Sequence, residues 1–249
     1  MRILFSLALL SGITINTSAQ VDTINAVNNR LETNRLSEGT ARYLVYTVDS
    51  LTNIVSTADV WERSVSFGAV QGSTQSVVLF EWKWFHNESL FRHVKAVADR
   101  KTLAPISEVS LFKGYAFAGY KFTQGFLTPD STVAANRVNK SMKIPLNPPI
   151  LNWEWDMETF SILPIKTAGQ KFAIAFMDPN SPQPGYFVYE VARAEDLPLN
   201  KEVSIKCWVL HINYGNGAYA SFWISQQSHE VLKMKEFFNG SYRYKVKLY

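Results

Sequence analysis

The run Trp153-Glu154-Trp155-Asp156-Met157-Glu158 gathers the densest set of groups able to do chemistry in this chain. Two carboxylates, one an acid and the other a base or nucleophile, beside a tryptophan platform are what hydrolysis of a glycosidic bond requires. The spacing speaks against that role. If Asn152 caps a short helix, Glu154 and Glu158 lie one turn apart while Asp156 points elsewhere, and acids in a first turn are favoured by the backbone dipole without any catalytic purpose. The same helix puts Trp153, Met157 and Phe160 on one face and stops at Pro164. His86, His93, His211 and His229 are scattered without metal-ligand spacing, and Cys207 has no partner thiol. No Gly-x-Ser-x-Gly elbow or phosphate-cradling glycine loop occurs, and Gly215-Asn216-Gly217 reads as a hairpin turn. A non-catalytic protein is expected, with no catalytic residue, no metal site and no cofactor.

What remains is binding chemistry. Val78, Phe80, Trp82 and Trp84 fall on one face of a strand, and Phe222 and Tyr244 add rings from strands near the C-terminus. Burying one such ring contributes about 2–3 kcal/mol. A few of them would hold a lipid or acyl chain with micromolar affinity even after the cost of association. Phe80, Trp82, Trp84, Phe222 and Tyr244 are therefore the candidate ligand-binding residues; the competing reading is that these rings are simply core. Lys233, Lys235, Arg243, Lys245 and Lys247 form the cationic face of the last hairpin, a candidate patch for an anionic partner such as lipid head groups, acidic glycans or an acidic envelope protein. Its plainer reading is a solvated outer face whose lysines guard an edge strand.

Strands must position these groups. Lys206 to Tyr249 contains no proline and reads as about four consecutive antiparallel strands, with Tyr242, Tyr244, Val246 and Leu248 on one face of the last and Arg243, Lys245 and Lys247 on the other. A three-residue loop, Phe238-Asn239-Gly240, pairs Met234 with Tyr244 and Leu232 with Val246; apolar matching favours it over a two-residue Asn-Gly turn, which sets Met234 opposite Lys245. Val77 to Phe85 and Leu90 to Asp99 make a hairpin around His86-Asn87-Glu88-Ser89, and Gly114 and Gly119 are bend points in the strand that follows the next turn. Asp22 to Leu36 places Ile24, Val27 and Leu31 at helical spacing. Pro145, Pro148 and Pro149 make Met142 to Ile150 a connection. Val203, Ile205, Cys207 and Val209 share a strand face, so Cys207 is expected to be a buried small hydrophobe. About eleven or twelve strands with one or two short helices predict a mainly β fold, a strongly curved antiparallel sheet forming a half-barrel.

Arg2, the apolar run Ile3 to Leu10 and the small residues Thr17-Ser18-Ala19 read as a signal peptide over residues 1–19, leaving residues 20–249 as a single curved β-sheet domain with the proline-rich connection near 142–150. The net charge of +4, to which Arg2 contributes one, does not call for nucleic acid. No stretch of the mature chain is long and apolar enough for a transmembrane helix, and a periplasmic or secreted location follows.

Four stretches together resemble an uncharacterised family of exported bacterial proteins: Asp99-Arg100-Lys101-Thr102-Leu103-Ala104-Pro105, the Leu163-Pro164 stop, Phe222-Trp223-Ile224 followed by Val231-Leu232-Lys233, and Tyr242-Arg243-Tyr244-Lys245-Val246. That family is related to the periplasmic lipoprotein-localisation carriers and the outer-membrane lipoprotein-sorting proteins. The resemblance implies an incomplete, lipoprotein-carrier-like antiparallel barrel around an apolar groove with helices as a lid. It carries no functional residue across by position. The expected function is an exported protein that holds a lipid or acyl chain in the groove. The alternatives are a glycan-binding or glycan-processing envelope protein and a scaffold for an envelope protein partner.

Overall fold

The computed structural model describes residues 20–249 apart from 29, 71, 73, 114–116 and 180; the expected signal peptide and the Gly114 bend lie outside the described residues. The strands are β1 Val21–Ile24, β2 Gly39–Asp49, β3 Val55–Ala69, β4 Ser76–His86, β5 Ser89–Asp99, β6 Pro105–Phe112, β7 Phe117–Thr123, β8 Phe126–Pro129, β9 Ile144–Pro145, β10 Leu151–Asn152, β11 Lys171–Asp178, β12 Ser181–Pro198, β13 Ser204–Gly215, β14 Ala218–Ser225, β15 Val231–Phe238 and β16 Ser241–Leu248. All belong to one curved, unclosed sheet in the order β1-β11-β12-β13-β14-β15-β16-β2-β3-β4-β5-β6-β7-β8-β9. Its meander is antiparallel, as alternation of apolar and polar residues predicts; only the short β1 and β10 run parallel, both beside β11.

The last hairpin differs from the expected register. Phe238 pairs with Ser241 and Met234 with Lys245, across a two-residue turn in which Asn239 and Gly240 both have left-handed φ, 48° and 75°. A turn of this hand matches the twist of the strands it joins, and that local geometry outweighs apolar matching. The consequence is a reversal of faces. Lys245 pairs with Val45 and Lys247 with Tyr43, both core residues, so Arg243, Lys245 and Lys247 turn into the hollow while Tyr242 and Tyr244 turn out. The hairpin of β4 and β5 forms where expected, around Asn87 and Glu88, both again left-handed.

The expected helix over Asp22 to Leu36 is absent. Val21 to Ile24 instead pairs with Lys171 to Ile174, and the Asn25 side chain accepts hydrogen bonds from the Val27 and Asn28 amides, a turn that ends the strand. Only Thr33–Arg35 makes a single 3-10 turn. Gly119, expected as a bend point, lies within β7 and is instead a point of close approach: a Cβ there would sit 2.6 Å from the Val133 side chain.

The proline-bearing connection carries the chain from β9, at one lip of the open sheet, to β10 beside the other. Ile150 there packs with Tyr120, Phe122 and Leu127 of one lip and Ala175 and Met177 of the other. The chain then drops into the hollow as a 3-10 turn, Trp153–Trp155, and the single α-helix among the described residues, α1, Asp156–Ser161. The Asn152 carboxamide oxygen accepts from the Glu154 amide at 2.9 Å and starts the segment. Trp155 stacks on Phe80 at 4.9 Å between ring centroids, and Phe160 lies 4.7 Å from Phe222 and 5.0 Å from Tyr189. The concave side of the sheet is thus filled by the chain's own segment. A smaller cluster, Leu197, Cys207, Val209, Trp223 and Leu232, buries Cys207, where burial pushes the thiol pKa up to about 11.

Candidate functional site

The inner wall beneath α1 carries charge as well as rings. Alternation along β3 points Trp61, Arg63 and Val65 inward, in register with Trp84, Trp82 and Phe80 of β4. Trp61 lies 4.8 Å from both Trp82 and Trp84, centroid to centroid. Cations face this aromatic sheet: the Arg63 and Arg92 guanidinium carbons lie 5.1 and 4.8 Å from the Trp82 ring, and Lys245 Nζ lies 4.6 Å from that of Trp61.

The descending segment answers these cations with carboxylates. Arg63 donates from Nε to Glu158 Oε1 at 2.9 Å and from Nη2 to Glu158 Oε2 at 2.5 Å, and also to the Glu154 carbonyl at 2.8 Å. Asp156 Oδ1 stands 3.7 Å from the same Nη2. Arg92 donates to Glu154 Oε1. Burial alone would lower the Arg63 pKa, and Glu158 and Asp156 more than reverse it. Lys245 has no carboxylate within ion-pair distance among the described residues; burial pushes its pKa down to about 8, offset in part by Asp156.

Behind Arg92 sits a second acid. Glu108, wholly buried, accepts from Ser110 Oγ at 2.8 Å and Asn152 Nδ2 at 2.5 Å, joining β6 to the far lip. Burial raises the pKa of Glu108, and burial with the Glu108 charge raises that of Glu154 to about 8. A carboxyl raised in the folded state keeps a proton that the unfolded chain has released above about pH 4.5, so its contribution to stability is fully present at low pH and falls as pH rises toward 8. Urea midpoints of the wild type and of Glu154→Gln should therefore diverge with pH, the wild type losing ground to the variant between pH 5 and 8. A constant difference across that range would contradict the assignment.

Of the expected ligand-binding residues, Phe80, Trp82, Trp84 and Phe222 share the inner wall, and Phe80 and Phe222 are buried against the segment's own rings. Tyr244 does not join them. It stacks on Tyr46 at 5.0 Å on the convex face, because the observed hairpin register turns it outward. The expected cationic patch likewise divides. Lys233 and Lys235 lie outside, over Trp223 and Tyr242, whereas Arg243 pairs with Glu236, Lys247 with Glu230, and Lys245 is buried over Trp61. Nor do Glu154 and Glu158 neighbour each other as a helix would place them: the 3-10 turn gives each its own arginine. With Trp155 buried and Trp153 packed on Phe176 and Phe187, the expected glycan platform is absent.

Two openings reach the lining. One, of about 200 Å³, lies beside α1 among Tyr43, Arg63, Glu158, Ser161 and Lys247. The other, of about 230 Å³, lies among Asp59, Trp84, His86 and Phe91, where Asp59 binds His86 Nδ1 at 2.6 Å and accepts from Trp84 Nε1 at 2.7 Å. Arg63 and Arg92, the two residues that organise the lining, were not singled out from sequence. Their signal is a charge standing in an inward row, as Arg63 does between Trp61 and Val65, matched by three unexplained acids at 154, 156 and 158.

Fold and lining together define a barrel-like half-barrel plugged from within. The chain belongs to the DUF3108 family, described as a protein of unknown function, whose model matches residues 41–247. No curated protein matches the sequence. Among solved structures it is similar to a beta-barrel-like protein of the domain of unknown function DUF1849 from Brucella abortus, at 8% identity, covering 84% of this chain and 94% of that one with a TM-score of 0.49. It is also similar to a candidate lipoprotein from Parabacteroides distasonis, at 9% identity, covering 88% and 98% with a TM-score of 0.35.

Proposed function

We propose that this protein is a non-catalytic binding protein of the cell envelope that holds an apolar ligand, a lipid or acyl chain, in the half-barrel, and that residues 153–163 occupy the ligand's place when it is absent. The observation that carries the reading is the plug itself. The concave aromatic wall is covered by one 3-10 turn and one helix of six residues, fastened to it through Arg63 and Arg92. Buried ion pairs return little net stability for the desolvation they cost, so a ligand that meets Arg63 and Arg92 in the plug's place can exchange with it at little net loss from those pairs. An acyl chain lying on Phe80 and Phe222 would replace the contacts that Trp155 and Phe160 make there. The exported location rests on Arg2, the apolar run Ile3 to Leu10 and the small residues after it. No helix of the described residues is long and apolar enough to cross a membrane. The resemblance to the lipoprotein-localisation carriers points to the same ligand chemistry.

Native mass spectrometry of protein purified gently from the envelope should show copurified lipid in the wild type. Protein that is always free of lipid, and that takes up none when offered a dansylated fatty acid, would end this reading. The packed interior would then favour a scaffold for an envelope protein. The convex aromatic row Tyr46, Tyr244, Tyr242, Phe237 and Tyr219, with consecutive centroids 5.0 to 6.3 Å apart, is the surface that would serve it.

A further inference from the structure

The ion pairs under the helix are distributed unevenly between wall and plug. Every carboxylate that meets Arg63 or Arg92 within ion-pair distance, Glu154, Asp156 and Glu158, comes from the plug, and Asp156 is also the principal carboxylate offsetting the buried charge of Lys245. The wall supplies the cations. Further donors of the same lining lack an acceptor: the indole N–H groups of Trp61 and Trp82 and the Nε–H of Arg92 are buried without a hydrogen-bond partner. An unsatisfied buried donor costs on the order of 1–3 kcal/mol, so a lining of this composition is built to receive acceptor atoms.

From this distribution we infer that the ligand is an anionic amphiphile, its acidic head group held by Arg63, Arg92 and Lys245 and the indole donors of Trp61 and Trp82, and that the acidic side chains of residues 154–158, with Asp156 and Glu158 at Arg63 and Glu154 at Arg92, stand in for that head group when the plug is seated. The inference rests on the ligand-binding reading above and adds the chemistry of the head. Withdrawing the plug would take from Arg63, Arg92 and Lys245 the acids that stand closest to them, leaving only the more distant Glu108 and Glu236 of the wall, in a water-poor hollow where charge-assisted hydrogen bonds are strong and an uncharged head would compensate poorly. Arg243 does not join the site, because its partner Glu236 belongs to the neighbouring strand and stays with the wall.

The experiment is displacement of Nile red, an uncharged apolar reporter, by dodecyl phosphate and by dodecanol, which share a chain and differ in the head. Dodecyl phosphate should displace it at concentrations at least about tenfold lower, and the gap should narrow at high salt. Lys245→Met is the variant of choice, since Lys245 has no ion-pair partner to orphan. It should narrow the gap by raising the concentration of dodecyl phosphate needed for displacement more than that of dodecanol. Equal displacement by the two probes, or a gap indifferent to salt and to Lys245→Met, would overturn the inference and leave apolar binding standing. Displacement by neither would remove the binding reading and this inference with it.

Discussion

Replacing Arg63 by methionine is expected to cost about 3–5 kcal/mol of folding stability, because it leaves the Glu158 and Asp156 carboxylates in the hollow with their cation gone. Arg63 is almost wholly buried, and three of its hydrogen bonds run to the plug. Glu158→Gln should cost less, since an amide keeps one hydrogen bond and removes the charge that Arg63 must balance. Urea denaturation of Arg63→Met, Glu158→Gln and the double variant forms a cycle, and the double should be less destabilised than the sum by about 0.5–3 kcal/mol. Additive losses, or a cost for Arg63→Met below about 1 kcal/mol, would show that the pair does not fasten the plug.

Phe160→Ala should be as severe, at about 3–5 kcal/mol. Its ring meets Phe222, Tyr189 and Phe176 at centroid distances of 4.7, 5.0 and 6.1 Å, so truncation opens a cavity among rigid rings that cannot collapse into it. Binding should move the other way. If the plug competes with ligand for this space, a loosened plug raises affinity for a dansylated fatty acid even as stability falls. A variant merely damaged in its core would bind more weakly. Fluorescence titration beside the denaturation curve separates the two.

Much of the architecture was open to reading from residue order. Alternation in Val78, Phe80, Trp82 and Trp84 marks an inward row, and Asn152 with Pro164 frames α1, the one α-helix among the described residues. The departures share a cause: a local pattern gives way where a partner elsewhere in the chain decides. Asp22 to Leu36 carries helical spacing, yet β11 offers Val21 to Ile24 a free edge. At the last hairpin the two left-handed residues Asn239 and Gly240 set the register against the pairing that hydrophobicity prefers, so every side chain of β16 faces opposite to expectation. That single slip moved Tyr244 off the binding wall and placed Lys245 upon it. The site itself was only half legible. Its acids are visible as a cluster at 154–158, but the arginines that bind them come from β3 and β5, 95 and 62 residues away respectively, and nothing in their neighbourhoods pairs them in advance.

Hydrogen–deuterium exchange of residues 153–163, followed as a fatty acid is added, addresses the plug directly. Amides of α1 should lose protection as ligand enters, while those of β4, β14 and the other strands of the wall hold or gain it. A ligand that binds with the α1 amides equally or better protected would mean that the helix is permanent core, and that whatever this half-barrel carries lies somewhere other than its hollow.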